Sequence, residues 1–221
     1  MTASFPDQAN AAAALHDRQA WARATGRYRA DIAAGSLKIA ESRVIADLLL
    51  RGADEAEWKQ ATINDNALKV KNPATAIRLT GLLRRRLETM SPELWLLIRD
   101  GTAVAVTHAT LAAAIKHSFL LGDFLDLAVR DQYRRFGKIL TKKIWYDFLE
   151  DCRGRDSQMP QWRESTVGRM RSSIFQILAQ GGYIKDTRSL LLQRPHITTE
   201  VIGYLQRNEE DYVLRCITVG T

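Results

Sequence analysis

The stretch STVGRMRSSIFQILAQGGYI, Ser165 to Ile184, decides how the chain is read. At 100° per residue, Val167, Met170, Ile174, Ile177 and Leu178 fall in one arc, with Phe175 at its edge. Ser165, Arg169, Ser172, Gln176 and Gln180 lie opposite, with Ser173 beside them. The pattern predicts an amphipathic helix capped by Ser165 or Thr166 and ending near Gln180. Arg171 falls at the margin of the apolar arc, where its stem can run along the core and its charge reach water. The outer face is short and hydrogen-bonding, and no Asp or Glu occurs from Ser165 through Ile184. Such a face suits an acidic, grooved partner, because its donors and acceptors match base edges and nothing repels phosphate.

Working outward, Gly181-Gly182 ends the helix, and GGYIK, DTRS and LLLQRP read as strand, turn, strand. The turn offers Lys185 and Arg188, with Arg194 after it. Upstream, Thr141 is placed to cap a helix burying Ile144, Trp145, Phe148 and Leu149, with Lys142 and Lys143 in its first turn and Lys138 just before it. CRGRDSQMPQW then reads as a loop. Two capped helices followed by a β-hairpin with a basic turn outline a winged helix. A loop of this length argues against a tight helix-turn-helix. After the hairpin, Thr198 or Thr199 caps a helix with Val201, Ile202 and Leu205, and DYVLRCITV is either a strand or a helical end.

Residues 27–137 read as all-helical, with the short connections of a bundle. Ser36 is a candidate N-cap and Gly52 a C-cap. Asn72-Pro73 opens a helix with a Leu79, Leu83, Leu87, Met90 stripe, and Ser91-Pro92 opens another. Arg84 and Arg85 point away from that stripe and form a second candidate phosphate patch, whereas Arg86 points along it. Thr107 to Leu121 is apolar enough to be buried on most sides, and Gly122-Asp123 is expected to break it. The fold class expected is mainly α, with three parts: an Ala-rich extension over 1–26, a helical bundle over 27–137 and a winged-helix domain over 138–221.

The 221 residues carry a net charge of +7, and 46% are hydrophobic. Residues 1–129 hold 16 Lys/Arg against 14 Asp/Glu, and residues 130–221 hold 16 against 11, so the excess sits late in the chain. A basic balance favours nucleic acid, anionic lipid or an acidic protein as partner. No apolar run approaches the ~18 residues of a membrane span, and the start lacks the pattern of a secretory signal. Cys152 and Cys216 are far apart without a CxxC, as expected in a reducing cytoplasm, and Cys152 sits in the expected loop with no nearby histidine. His16, His108, His117 and His196 have no ligand spacing, and the common phosphate-loop, dinucleotide, hydrolase and zinc-protease motifs are absent. The one carboxylate pair, Asp123 and Asp126, is better explained by Asp123 as an N-cap. No catalytic residue, metal site or cofactor is therefore expected.

YRADIAAGSLKIAESRVIADLLLRG, IRLTGLLRRRLETMSPELWLLI, AAIKHSFLLGDFL and WRESTVGRMRSSIFQILAQGGYI together resemble the BrxA family, accessory proteins of bacterial BREX (bacteriophage exclusion) systems. The resemblance covers residues 27–218 and rests on the order of several segments rather than one sharp motif. It implies a soluble protein with a helical N-terminal part similar to the antitermination factor NusB and a winged-helix C-terminal part. It also implies double-stranded DNA binding without catalysis, beside a methyltransferase, an ATPase and a phosphatase-like protein. Arg78 and Arg86 match the family's arginine stretch, and Ser165, Thr166, Arg169 and Arg171 match its second winged-helix segment. With Ser172, Gln176, Lys185, Arg188, Lys142, Lys143, Arg84 and Arg85, the latter four are the candidate DNA contacts. The alternative is a scaffold that docks other defence proteins without touching DNA.

Overall fold

The computed structural model describes residues 27–221 and is mainly helical. The expected extension over 1–26 lies outside the described residues.

A short 3-10 turn, Ala30–Ala34, precedes α1, Ile39–Leu50. Ser36 does not cap α1: Leu37 is drawn fully into the core, and the chain turns helical only after Lys38, at φ 58°. Gly52 ends α1 at φ 62°, its N–H bonding to Leu49, in the left-handed conformation that glycine adopts without cost. Asp54 and Glu57 cap each other's backbone at the start of α2, Glu55–Lys59, which runs on as a wider π turn over Gln60–Asn64. Asn72 accepts from the Thr75 N–H with Pro73 in the first turn, opening α3, Pro73–Leu87, as the sequence predicts. Ser91 and Pro92 open α4, Pro92–Asp100.

The central element is α5, Ala103–His117, which packs against α1, α3 and α4. Every residue from Ala109 to Ile115 is buried, as a helix apolar all round must be. The helix breaks at Ser118, not at Gly122-Asp123. From Phe119 to Arg134 it continues as α6, α-helical over Phe119–Asp123 and Arg130–Arg134 and π-helical over Phe124–Val129. Gly122 is no stop signal. A Cβ there would lie 2.3 Å from the Tyr212 hydroxyl, so the glycine makes room for a ring distant in sequence.

Thr141 precedes α7, Lys142–Arg155, which buries Trp145, Phe148 and Leu149 as expected and extends past Cys152. Cys152 is therefore a buried helical residue, and the connection to the next helix shrinks to residues 156–163. Then come α8, Glu164–Gln180, α9, Thr199–Arg207, and α10, Asp211–Ile217, so DYVLRCI is helical. The expected hairpin is reduced to two antiparallel bridges, Ile184 with Leu192 and Leu191 with Ile139.

One contiguous core takes buried side chains from before and after Gly137. Phe124 of α6 sits edge-on to Trp145 and Phe148 and beside Phe175. Both α9 and α10 return to α5, and the Thr198 N–H donates to His108 Nδ1 at 3.2 Å. Asp123, expected as an N-cap, is a buried hub instead. It accepts from Arg27 Nε and Nη2, Tyr28 Oη and Tyr212 Oη, all within 3.0 Å, and burial beside this charge raises both tyrosine pKa values. No single helix among the described residues is long and apolar enough to cross a membrane.

Candidate nucleic-acid interface

Helix α8 starts two to three residues earlier than its sequence suggests. Its N-cap is Arg163, and Ser165 and Thr166 lie inside the first turn. Glu164 takes the first helical position, where a carboxylate favours the positive end of the helix. Its Oε1 accepts from Tyr146 Oη at 3.0 Å, and Arg171 Nη1 lies 2.7 Å from the same hydroxyl. Arg171 also stacks over the Tyr146 ring, 5.7 Å from its centroid. This chain ties α8 to α7 and takes up one of the donors that Arg171 would otherwise present.

Ser165, Arg169, Ser172 and Gln176 are exposed and Thr166 partly so, while Ser173 turns inward with Val167, Met170, Ile174 and Ile177. Ser172 Oγ donates to the Gly168 carbonyl at 3.0 Å and keeps its lone pairs outward. At the far end of this face, Gln180 is used internally: its Oε1 accepts the Leu37 N–H at 3.0 Å.

The bridges place the basic turn beside α7. Leu140 N–H donates to the Leu190 carbonyl and Leu192 N–H to that of Lys138, both at 2.9 Å, which brings the start of α7 next to residues 185–190. Within the turn, Asp186 accepts from the N–H groups of Arg188 and Ser189 and from Ser189 Oγ. These bonds hold its carboxyl below the usual carboxylate range. The turn is thereby rigidly capped, with Lys185 and Arg188 exposed on either side of it.

Among the described residues, Lys142, Arg169, Lys185 and Arg188 are exposed and form no ion pair. Lys143 differs, with Asp147 at 2.7 Å, and Arg84 pairs with Glu88 at 2.6 Å while covering Trp58. Arg85 is exposed without an ion pair, but it belongs to α3, packed on α1 and α5, rather than to the α7–α8 unit. Arg86 is fully buried, donating to the Ser36 carbonyl at 3.1 Å with Asp31 acting on it through charge. Sequence reasoning missed Arg163, exposed at the very start of α8 and without an ion pair among the described residues. Its position just before the first helical residue was a usable signal, obscured by reading Ser165 as the cap.

No group of His, Cys, Asp or Glu among the described residues is arranged to hold a metal. Asp126 is engaged by Arg130 and Arg215. A groove of about 570 Å³ between α4 and α9 is lined by Glu93, Leu96, Asp100, Glu200 and Tyr204, and its Glu93 is held by Arg207 and Asn208.

The BrxA family model matches residues 26–209. A BREX protein BrxA of Paramagnetospirillum magneticum is 50% identical over 194 residues, covering 88% of this chain and 98% of the relative. One from Escherichia coli O9:H4 is 31% identical over 177 residues, covering 80% and 83%. A crystal structure of an uncharacterized protein from Magnetospirillum magneticum superposes with a TM-score of 0.81 at 48% identity, covering 87% of this chain and 99% of that one. The fold is mainly helical, with a capped basic turn beside the start of α7. The chain belongs to the BrxA family.

Proposed function

We propose that the chain is a non-catalytic, cytoplasmic accessory protein of a BREX phage-defence system that binds double-stranded DNA with weak sequence preference. In this reading residues 138–221 form a winged helix and residues 27–137 a NusB-like bundle. The order α6, bridge at Ile139, α7, α8, bridge at Ile184, turn, bridge at Leu191 supports it. Its partners would be duplex DNA and the system's methyltransferase, ATPase and phosphatase-like protein.

One observation carries the proposal. Among the described residues, Lys142, Arg169, Lys185 and Arg188 stand exposed without ion pairs, and the α8 face that carries Arg169 has no carboxylate from Ser165 to Gln180. Such cations gain by releasing counterions from phosphates, a term that steers binding but carries no sequence information. One arginine and a few hydroxyls on the groove-facing side leave little for base readout.

The test is a duplex titration over a salt series with the chain and with Arg169→Glu/Lys185→Glu/Arg188→Glu. Loss of three phosphate contacts should weaken binding at least tenfold at low salt and reduce the salt slope by about 2–3. Unchanged affinity at low salt would place the DNA site elsewhere or nowhere on this chain.

A further inference from the structure

The geometry points to a second docking surface, for an extended acidic segment of a protein partner that adds as a β-strand to the free edge at Ile139. Three observations meet there. First, Phe136 is 86% exposed. It occupies the C-terminal cap of α6 at φ 55°, with its N–H on the Tyr133 carbonyl and the Gly137 N–H on that of Gln132. This is the left-handed position where helices ordinarily carry glycine. The chain instead holds a large aromatic there, strained and in water, a combination that stability alone does not favour.

Second, Ile139 forms an edge. Its bridge to Leu191 is of the type in which the bonds run through the flanking residues, Leu140 and Lys138. The N–H and carbonyl of Ile139 itself therefore face away from Leu191, and no backbone group among the described residues takes them. Ile139 and Leu191 lie opposite each other and are 46% and 39% exposed, with Phe136 three residues before Ile139 in the chain. An unpaired edge with apolar side chains is a template for another strand.

Third, the flanks are basic. Arg134, Lys138 and Lys142 are exposed and form no ion pair among the described residues, while Arg135 is paired with Asp131. A second copy pairing edge to edge would bring these like charges together, and so is disfavoured. The chain's own first 26 residues carry Asp7 and Asp17 against Arg18 and Arg23, so they offer no acidic excess. Nucleic acid supplies charge but no peptide backbone to satisfy both Ile139 groups. An acidic strand with apolar residues at alternate positions satisfies all three features.

The test is selection of 12-residue peptides from a random displayed library on the full chain, followed by anisotropy measurements on the winners. Expected are net-negative peptides with alternating apolar residues. They should bind at least tenfold more weakly to Phe136→Gly, slow hydrogen exchange at the Ile139 amide, and bind Arg169→Glu/Arg188→Glu undiminished. Phe136→Gly relieves the backbone strain, so its melting temperature should equal or exceed the parent's and misfolding would not explain the loss. Absence of binders, or binders indifferent to Phe136→Gly, would overturn the inference. So would a loss of duplex affinity in that variant with peptide binding intact, which would make the patch a DNA contact. A dimer that dissociates in Phe136→Gly would assign the patch to a second copy and overturn it equally.

Discussion

Asp31 should make the chain lose stability as pH rises through the mildly acidic range, opposite to the usual behaviour of a paired carboxylate. It sits in the 3-10 turn beneath the Ser118 hydroxyl, which donates to it at 2.6 Å. Burial pushes its pKa up from 3.8 to about 6, against the opposing pull of Ser118 and of the Arg86 and Arg29 charges. The native chain then holds a proton between those two values that the unfolded chain has released. Stability is fully favoured below the unfolded pKa and declines as pH passes the folded one. The difference between 3.8 and about 6 sets a ceiling of about 3 kcal/mol, and because the residue keeps some surface the expected effect is about 1.5–3 kcal/mol. Asp31→Asn removes the titration while nearly preserving shape. In urea unfolding from pH 4 to 7.5, the variant should gain about 1.5–3 kcal/mol on the parent as pH rises, since every other group cancels in the difference. Arg86→Met, which removes the facing cation, should shift the same decline to higher pH. A difference between Asp31→Asn and parent that is flat or falls with pH would refute the reasoning.

Two glycines in helices should respond in opposite ways. Gly168→Ala meets nothing within 4 Å in the interior of α8 and should stabilise by about 0.5–1 kcal/mol. Gly122→Ala drives a methyl into the Tyr212 hydroxyl that serves Asp123 and should cost about 1–3 kcal/mol, read as a drop in urea midpoint. Burial pushes the Cys216 thiol up to about 12 and raises Cys152 as well. At pH 8 both should react with an aromatic disulfide reagent only as fast as the native chain opens, and reaction at the rate of a free thiol would contradict their burial.

What could be read from the chain followed local chemistry. Asn72-Pro73, Ser91-Pro92 and Gly52 mark ends that the backbone itself requires, and the apolar arc of α8 is buried nearly as its periodicity predicts. The misreadings share one cause, a local signal with a distant reason. Gly122-Asp123 looks like a stop and a cap, yet the glycine admits Tyr212 and the carboxylate gathers Arg27, Tyr28 and Tyr212. Gly154 looks like loop, but α7 carries it to Arg155. The D-x-x-E of Asp54 and Glu57 was legible and overlooked. Within the site, the exposed Arg169 was readable from the helical period, whereas the capture of Arg171 by Tyr146, of Arg84 by Glu88 and of Lys143 by Asp147 depends on rotamers. Sequence therefore overstated the number of available cations.

The remaining cations sit on firmly held backbone, and this bears on the kind of binding proposed. The backbone of the basic turn is fixed by the three bonds to Asp186, and α8 is fixed by the Glu164–Tyr146–Arg171 chain at one end and by Gln180 on Leu37 at the other. The scaffold is thus set before any partner arrives, while the lysine and arginine tips stay free in solvent. A rigid scaffold with mobile charged ends suits contact with a regular, repeating polyanion, where many registers are nearly equivalent in energy. It does not suit discrimination among bases, which needs donors held as firmly as the backbone that carries them. The free edge at Ile139 has the reverse character, a fixed backbone pair with apolar side chains on both strands of the bridge, and that is the chemistry of recognition by another protein chain. On this argument selectivity among DNA sites would come from what docks beside the cationic face rather than from the face itself.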